Sequence, residues 1–402
     1  KRQLATGGSS TEINFDGIVG GSNSVGAIAI TGVLDLNAAI TAATSVSVSG
    51  TSNIGADVTT SSTQLYSGNV TLSGADRTLE GSTVTTTGTL SSDFALTVTG
   101  NAVFGNSSSD DVVISGSNKA LAVSGTTTIE TDTINTSGTQ TYSGAVVLGI
   151  NTTLTTSGDV ITFGDRVNSD GSTNRNLTVT TGGNSVHINF DGIVGASQGV
   201  GAIALTGVLD LNAAIADANS LTVSGAALID ADVTTSGTQT YSAAITLGTA
   251  ARTLQGSTVQ TTTINGAQNL TITGNLDLNG IIGGSSAIGV FSVSGTSNLG
   301  ANVTTTGTQT YSGAVTLSAN VTLTSSNDNF TFSSTVDSDG STRNLTLSAG
   351  SGTIGISNAI GGSAALGTLT ITQSGGVTFS GNINAAIAVS YTHLTLPTTP
   401  YV

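Results

Sequence analysis

Short stretches in which every second residue is aliphatic recur along the whole chain. Ala27-Ile28-Ala29-Ile30, Val46-Ser47-Val48 and Leu369-Thr370-Ile371 are examples, and each is followed within a few residues by Gly, Asn or Ser. Successive side chains of a strand point to opposite faces. The period of two therefore predicts strands with an aliphatic inner face and an outer face of Ser, Thr, Asn or Asp. We expect an all-β protein.

The alternating stretches belong to a long internal repeat. Residues 12–87 match residues 187–262 at a constant offset without a gap. Self-similarity of this length is typical of stacked arrays, in which each unit contacts only its neighbours. A catalytic centre is usually singular, so the repeat favours a scaffold or an adhesive surface over an enzyme.

Composition distinguishes two ways of using such strands. A β-sandwich of about 100 residues needs a thick core, whereas aromatic residues make up only 4% of this chain. A β-solenoid with coils of about twenty residues needs only a thin core of small aliphatics. We therefore predict a right-handed parallel β-helix of stacked coils, with tandem β-sandwich domains as the alternative.

The repeat array is predicted to cover residues 1–388 and to be truncated at both ends. Its start, Arg2-Gln3-Leu4, resembles the interior stretch Arg175-Asn176-Leu177. Residues 389–402 match no repeat and hold both prolines. We interpret this last segment as a non-native tail and draw no function from it.

Charge and cysteine content narrow the classes of partner. The formal net charge is -15, which disfavours nucleic acid and anionic membranes as partners. No apolar run is long enough for membrane insertion. The chain has no cysteine, so disulfides and thiol chemistry are excluded. The lack of a transmembrane run, the low content of charged residues and the polar Thr, Ser, Asn and Gly surface lead us to expect an extracellular or cell-surface location.

Two repeated elements resemble those of a known class of protein. They are the Thr-Gln-Thr-Tyr-Ser-Gly segments at 139–144 and 308–313, and the Ser-Asp-Gly-Ser-Thr turns that follow Asn168 and Asp337. Together with the Gly-rich aliphatic strands, they resemble the repeats of filamentous-haemagglutinin-type and autotransporter-passenger proteins. The resemblance implies a large secreted or surface-attached bacterial adhesin with a right-handed parallel β-helix.

Four tyrosines occupy equivalent places in a Thr-Gln-x-Tyr-Ser context: Tyr66, Tyr142, Tyr241 and Tyr311. They are candidates for surface contacts to carbohydrate, and packing at a coil corner is the alternative. The many Thr-x-Thr pairs raise a further idea, an ice-binding face. Such a face needs Thr in register on successive coils, and the pairs look too irregular for it.

The enzymatic alternative is a polysaccharide lyase or hydrolase. Such an enzyme needs carboxylates gathered on one stretch of the solenoid wall. Asp35, Asp210 and Asp277 share a Leu-Asp-Leu-Asn pattern, but the coils between them place them too far apart for a pair. The nearest candidate cluster is Asp110 and Asp111 with Lys119.

The two histidines give no catalytic group. His393 lies in the tail, and His187 is replaced by Glu12 in the matching copy. We predict no catalytic residue, no cofactor and no metal.

Repeated Asp-Gly pairs are turn signals, since Gly accepts a positive φ and Asp binds the local backbone. The pairs begin at Asp16, Asp170, Asp191 and Asp339. Weak calcium binding by Asp337 and Asp339 is the alternative that the sequence leaves open.

The function expected from these observations is a structural or adhesive segment that contacts host-cell or polysaccharide surfaces or other copies of itself. A passive spacer is the remaining alternative.

Overall fold

The computed structural model describes residues 2–5, 12–171 and 173–389. Within these ranges the chain is all-β, and its parallel strands stack as a β-solenoid of about 19 turns in total. The predicted fold class is confirmed. Tandem β-sandwiches are wrong, because they require antiparallel sheets and the strands here pair in parallel, as at residues 46–48 with 64–66. The right hand of the helix stays a prediction.

The described residues form two compact units, and the boundary lies between Ala226 and Ala227. In unit 1 the strands β1 to β27 are, in order, Arg2–Ala5, Glu12–Phe15, Ile28–Thr31, Val33–Leu36, Ile40–Ala43, Val46–Val48, Ser52–Ile54, Val58–Thr60, Thr63–Tyr66, Val70–Leu72, Arg77–Thr86, Leu90–Ser92, Leu96–Phe104, Val112–Ile114, Leu121–Val123, Thr127–Ile129, Thr133–Thr136, Gln140–Tyr142, Val146–Leu148, Thr152–Thr156, Ile161–Phe163, Val167–Ser169, Leu177–Thr180, His187–Phe190, Val200–Thr206, Val208–Leu211 and Ile215–Val223.

In unit 2 the strands β28 to β47 are, in order, Ala227–Ile229, Val233–Thr235, Gln239–Tyr241, Ile245–Leu247, Arg252–Thr261, Ile264–Asn265, Leu270–Leu278, Phe291–Val293, Ser297–Leu299, Val303–Thr305, Gln309–Tyr311, Val315–Leu317, Val321–Ser325, Phe330–Phe332, Val336–Ser338, Leu345–Ser348, Thr353–Ile356, Thr368–Gln373, Gly376–Phe379 and Ala386–Val389. The tail predicted from residue 389 begins at the end of β47, and residues 390–402, with His393, lie outside the described residues. Among the described residues, no helix could cross a membrane.

Each strand pairs with a strand one coil further along the chain. The coils differ in length, because the stretch of chain from Phe163 to its partner Phe190 is longer than the stretch from Val48 to its partner Tyr66. The strand positions stay aligned, since the extra residues of the longer coils lie in the connections between strands. The coil boundaries therefore follow no fixed period along the chain.

The interior of each coil is built from the inward-facing residues of its strands. Most of the shortest strands have a buried, half-buried, buried pattern, as in Val146–Leu148. Valine, isoleucine and leucine fill most of this space, and burial of their side chains stabilises the stack. A column of rings interrupts the aliphatic core of unit 1, where Phe163 stacks at 5.7 Å on Tyr142 and at 4.8 Å on Phe190.

Asparagine and aspartate side chains also join successive coils, by hydrogen bonds to the backbone. Asn176 is an example: its Oδ1 accepts the backbone N–H of Ala202, in the next coil, at 2.8 Å. A backbone N–H without a partner is costly, and these side chains supply the acceptor. The same bond is made by Asn101 to Thr126, Asn275 to Thr296, Asn320 to Asn344, Asn329 to Thr353, Asp57 to Thr78 and Asp232 to Thr253.

The sequence repeat is a structural repeat. Strands β2 and β24 begin at Glu12 and His187, and strands β11 and β32 begin at Arg77 and Arg252. Both pairs are separated by the same offset that relates the two copies in the sequence. The two copies therefore form strands at equivalent positions, although β5 and β6 of the first copy correspond to the single strand β27 of the second.

The glycines of the four Asp-Gly pairs differ in what they require. Gly17, after Asp16, has no positive φ, and a Cβ added there would meet nothing within 4 Å. Gly171 and Gly340 have φ values of +94° and +100°, which confirms the turn prediction at Asp170 and Asp339. Gly192 does not have a positive φ, but a Cβ there would overlap the backbone carbonyl of Asp165. After Asp191 the glycine is therefore required because two coils approach closely.

Replacing Gly192 with alanine tests this close approach. We expect Gly192→Ala to lower the free energy of unfolding by about 1–3 kcal/mol, because the added methyl group overlaps the backbone of the preceding coil. Gly183→Ala is the matched control, since a Cβ there meets nothing within 4 Å. Urea unfolding of the full chain measures both. Equal unfolding midpoints for the two variants would contradict the packing argument.

Candidate functional site

Threonines lie in register on consecutive coils of unit 1. Thr133 on β17 pairs with Thr153 on β20, which pairs with Thr178 on β23. A second row further along the same strands contains Thr155 and Thr180. The expectation that the Thr-x-Thr pairs are too irregular to align was wrong for these coils. It failed because the unequal coil lengths hide the alignment in the sequence.

A row of asparagines runs beside the first threonine row. Asn151 Oδ1 accepts the backbone N–H of Asn176 at 2.9 Å, and Asn176 bonds the next coil in the same way. Both residues are exposed. Their carboxamide oxygens are fixed by these bonds, so the Nδ2 groups, which have no acceptor within the described residues, remain free to donate to a ligand.

The asparagine row and the first threonine row line a shallow groove of about 310 Å³. Each residue that lines it carries a hydroxyl, an amide or a carboxylate: Asp132, Thr133, Asn151, Thr152, Thr153, Asn176 and Thr178. The aliphatic residues of these strands, such as Leu154, are buried on the opposite face. The groove is therefore a polar surface with hydrogen-bonding groups at fixed positions.

Unit 2 carries a similar pair of rows. Thr322 pairs with Thr346 on the adjacent coil. The Oδ1 atom of Asn320 accepts the backbone N–H of Asn344 at 2.9 Å, as Asn151 does for Asn176. These strands come from the same sequence element, Asn-x-Thr-Leu-Thr, at 151–155 and 320–324. The polar rows are thus part of the repeated design.

A pair of carboxyl groups lies at one end of the groove. Asp111 precedes β14 and Asp132 precedes β17, the strand that pairs with it. Partial burial raises the pKa of Asp111, and the charge and hydrogen bond of Asp132 raise it further, with a smaller contribution from Asp110. Asp111 therefore holds a proton more tightly than a solvated aspartate does.

Asp110, Asp111 and Lys119 do not form the cluster that the sequence suggested. Lys119 Nζ instead contacts Asp76 Oδ1 at 2.7 Å and lies 5.9 Å from the centre of the Phe94 ring. Asp110 accepts a hydrogen bond from the Ser107 hydroxyl at 2.8 Å. The partner of Asp111 is Asp132, because these residues occupy neighbouring positions on successive coils.

The four candidate tyrosines are inside the solenoid. Tyr66, Tyr142 and Tyr311 are 0% exposed and Tyr241 is 2% exposed. Burial raises the pKa of each hydroxyl. A ring without exposed area cannot stack on a carbohydrate. The role in surface contacts is therefore corrected to the packing alternative.

A buried glutamine, which the sequence analysis overlooked, explains how the tyrosine hydroxyls are accommodated. Tyr142 donates to Gln140 Oε1 at 2.9 Å. The Nε2 group of Gln140 donates to the carbonyl of Thr155, on the next coil, at 2.8 Å and to that of Ile134 at 3.2 Å. The pairs Gln64–Tyr66, Gln239–Tyr241 and Gln309–Tyr311 make equivalent bonds.

The sequence did contain a signal for this pair. Residues i and i+2 of a strand share a face, so an inward tyrosine requires an inward glutamine in Gln-x-Tyr. We name this arrangement the Gln–Tyr clamp, meaning the glutamine, the tyrosine at i+2 and the carbonyls that the glutamine contacts.

The outward aspartates of the Leu-Asp-Leu-Asn pattern bond to neighbours on the next or preceding coil. Asp35 accepts from Asn53 at 2.7 Å, Asp277 accepts from Asn298 at 2.9 Å, and Asp210 Oδ2 lies 2.6 Å from His187 Nδ1. These side-chain contacts join neighbouring coils on the outer face of the solenoid. The structure does not bring the three aspartates together.

The aspartates of the proposed calcium turns are also engaged. Asp339 forms two bonds to the Arg343 guanidinium, at 3.0 and 2.7 Å, and the arginine lowers the pKa of its carboxyl. Asp337 accepts the backbone N–H of Ser363 at 2.9 Å. No group of three or more His, Cys, Asp or Glu side chains suited to a metal occurs in the described ranges.

Comparison with known proteins adds no name to this geometry. No family model, curated protein or solved structure matches the chain. The groove, the clamp and the carboxyl pair are therefore interpreted from their own chemistry.

The clamp predicts a specific order of stabilities. Gln140→Leu leaves the buried Tyr142 hydroxyl without its acceptor, at a cost of about 1–3 kcal/mol, and also removes the side-chain hydrogen bonds to the Thr155 and Ile134 carbonyls. Tyr142→Phe leaves only the glutamine oxygen unpaired and is expected to cost less. The double variant should cost less than the sum of the single variants.

Thr141→Val is the control, because Thr141 lies between the two residues on the outer face and should shift stability by less than about 0.5 kcal/mol. Urea unfolding measures all four proteins. Additive effects of the two clamp substitutions would contradict the proposed bonding.

The carboxyl pair predicts a pH dependence of stability. The pKa of Asp111 is higher in the folded state, so its favourable contribution is fully present below the ordinary aspartate pKa of about 3.9 and is lost as the pH rises through the raised value. Asp111→Asn, which retains a donor to Asp132, should therefore be more stable than the original chain at pH 7. The advantage should disappear near pH 3. Thermal unfolding across this range checks the prediction, and parallel curves for the two proteins would contradict it.

Proposed function

We propose that this chain is a structural and adhesive segment of a large secreted or surface-attached bacterial protein. The main support is that each unit carries an asparagine row beside a threonine row, built from the same sequence element. A repeated polar surface makes the same weak contact more than once. Several weak contacts on one chain give avidity that no single contact has.

The hydrogen bonds between successive coils support the structural part of the proposal. Successive coils within each unit are joined by parallel backbone ladders, by asparagine and aspartate bonds on the outside and by the Gln–Tyr clamps on the inside. Pulling along the stacking direction loads the bonds of many strands together. Such a segment suits a stalk that presents an adhesive surface.

The extracellular bacterial setting rests on sequence. The chain has no cysteine and a net charge of -15, and its Gly-rich repeats resemble those of filamentous-haemagglutinin-type and autotransporter-passenger proteins. Host-cell or polysaccharide surfaces are the proposed partners, together with other copies of the same protein.

One observation favours a polysaccharide-acting enzyme as the second candidate: the Asp111–Asp132 pair at the end of the groove. The two carboxyls are hydrogen-bonding neighbours, since both the charge and a hydrogen bond of Asp132 act on Asp111. Glycosidases hold theirs about 5–5.5 Å apart when retaining and about 6.5–9.5 Å apart when inverting. The spacing in this structure matches neither class, so the adhesive proposal is preferred.

Adhesion of beads that carry the full chain tests the proposal. We expect retention on polysaccharide-coated or host-cell surfaces to rise more steeply than linearly with the density of chain on the bead, because contacts act together. Beads that carry heat-unfolded chain are the control. Equal retention of both beads would indicate a passive spacer. Release of new reducing ends or unsaturated sugars from the same surfaces would instead support the enzyme.

A further inference from the structure

We propose that the groove across β17, β20 and β23 binds one chain of a neutral, linear polysaccharide that lies along the stacking direction of the coils. This inference rests on the proposed function, for which it names the ligand and the site. The groove runs over three coils, and its hydrogen-bonding groups recur once per coil. A ligand that repeats along its length is the natural match for such a surface.

The spacing of the groups fits a sugar chain. Neighbouring strands lie about 4.8 Å apart, so two coils advance about 10 Å, which is close to the length of an extended disaccharide. Thr133, Thr153 and Thr178 therefore meet successive sugar rings on one side of the chain. A peptide or a lipid surface offers no repeat of this length.

The groups are also fixed before the ligand arrives. The Asn151 and Asn176 carboxamides are held by bonds from their oxygens to the next coil. Threonine is β-branched and has few χ1 rotamers. Little side-chain entropy is lost when such groups bind, and this reduction in cost is what preorganisation supplies.

The hydrogen-bonding groups of the groove suit sugar hydroxyls better than other ligand groups. The Nδ2 groups donate, the Asp132 carboxylate accepts, and the Thr153 and Thr178 hydroxyls do both. A sugar hydroxyl is likewise a donor and an acceptor, so it can pair with each of these groups. The lining contains no aliphatic or aromatic side chain, which disfavours an apolar ligand.

The negative charge of the groove and of the whole chain favours a neutral polymer over an anionic one. Asp132 lines the groove and Asp111 lies beside it, and the chain as a whole carries a net charge of -15. An anionic polysaccharide would meet repulsion from both sources. Unit 2 offers a second set of the same rows at Asn320, Asn344, Thr322 and Thr346, so one chain has two places for such a polymer.

Substitutions that remove hydroxyls but keep shape test the site. Thr153→Val/Thr178→Val and Thr322→Val/Thr346→Val keep the β-branched form and the strand propensity. Thr78→Val/Thr97→Val is the matched control, because these threonines are also in register on adjacent coils but lie outside the groove. Thermal unfolding confirms that each variant is folded.

Binding is measured by affinity electrophoresis of the full chain in soluble β-glucan, xylan and glycol chitin, with polygalacturonate as the anionic comparison. We expect at least one neutral polymer to retard the original chain. Each groove pair should weaken binding about tenfold, as the loss of two hydrogen bonds predicts. The combined variant should lose retardation, and the control pair should match the original chain.

Other outcomes would overturn the inference in distinguishable ways. Equal retardation of all variants would show that the groove is not the binding site, and the proposed adhesive function would stand. Stronger retardation by polygalacturonate would contradict the neutral class of ligand. Absence of binding to all polymers, with bead adhesion retained, would leave the proposed function and refute this ligand. Inhibition of ice growth that the groove variants lose, without binding to glycans, would assign the threonine rows to ice.

Discussion

The backbone hydrogen bonds between successive coils hold each strand against its neighbour, and the other features of the fold follow from that alignment. Once Val48 pairs with Tyr66, the inward side of one coil must stack on the inward side of the next. Small aliphatic residues satisfy this condition at almost any position, because they fill a thin core without polar atoms. Where a tyrosine occurs instead, the Gln–Tyr clamp provides for its hydroxyl and links two coils at the same time.

The same alignment explains the unusual balance of acidic residues, in which aspartate far outnumbers glutamate. A short carboxylate or carboxamide reaches the backbone N–H of the next coil, as at Asp232 and Asn176, whereas a longer side chain has more rotamers to lose. The negative charge of the protein is in part a consequence of this bonding at the connections between strands. In the groove, the same carboxamides that join the coils present their Nδ2 groups to solvent, so one set of residues serves the fold and the candidate site.

The fold could be predicted from sequence because alternation and repetition are local signals. The site could not, because it depends on which residues are neighbours one coil away. Thr133, Thr153 and Thr178 are in register in space but unequally spaced along the chain, so no fixed period relates them. Lys119 was paired with Asp110 and Asp111 because they are close in sequence, but it contacts Asp76, far earlier in the chain. The sequence leaves the tyrosines open to surface contact or packing, and the glutamine two residues before each of them is the signal that decides for packing.

The structural repeat has a consequence for how the gene can change. Strands β2 and β24 begin at equivalent positions of the two copies, as do β11 and β32, so unequal recombination between the copies would remove or duplicate one whole repeat. The junction would join a strand to its own equivalent, and the inward and outward sides would remain in phase. Variation among alleles in the number of coils is therefore compatible with folding, whereas a deletion of arbitrary size would place polar side chains in the core.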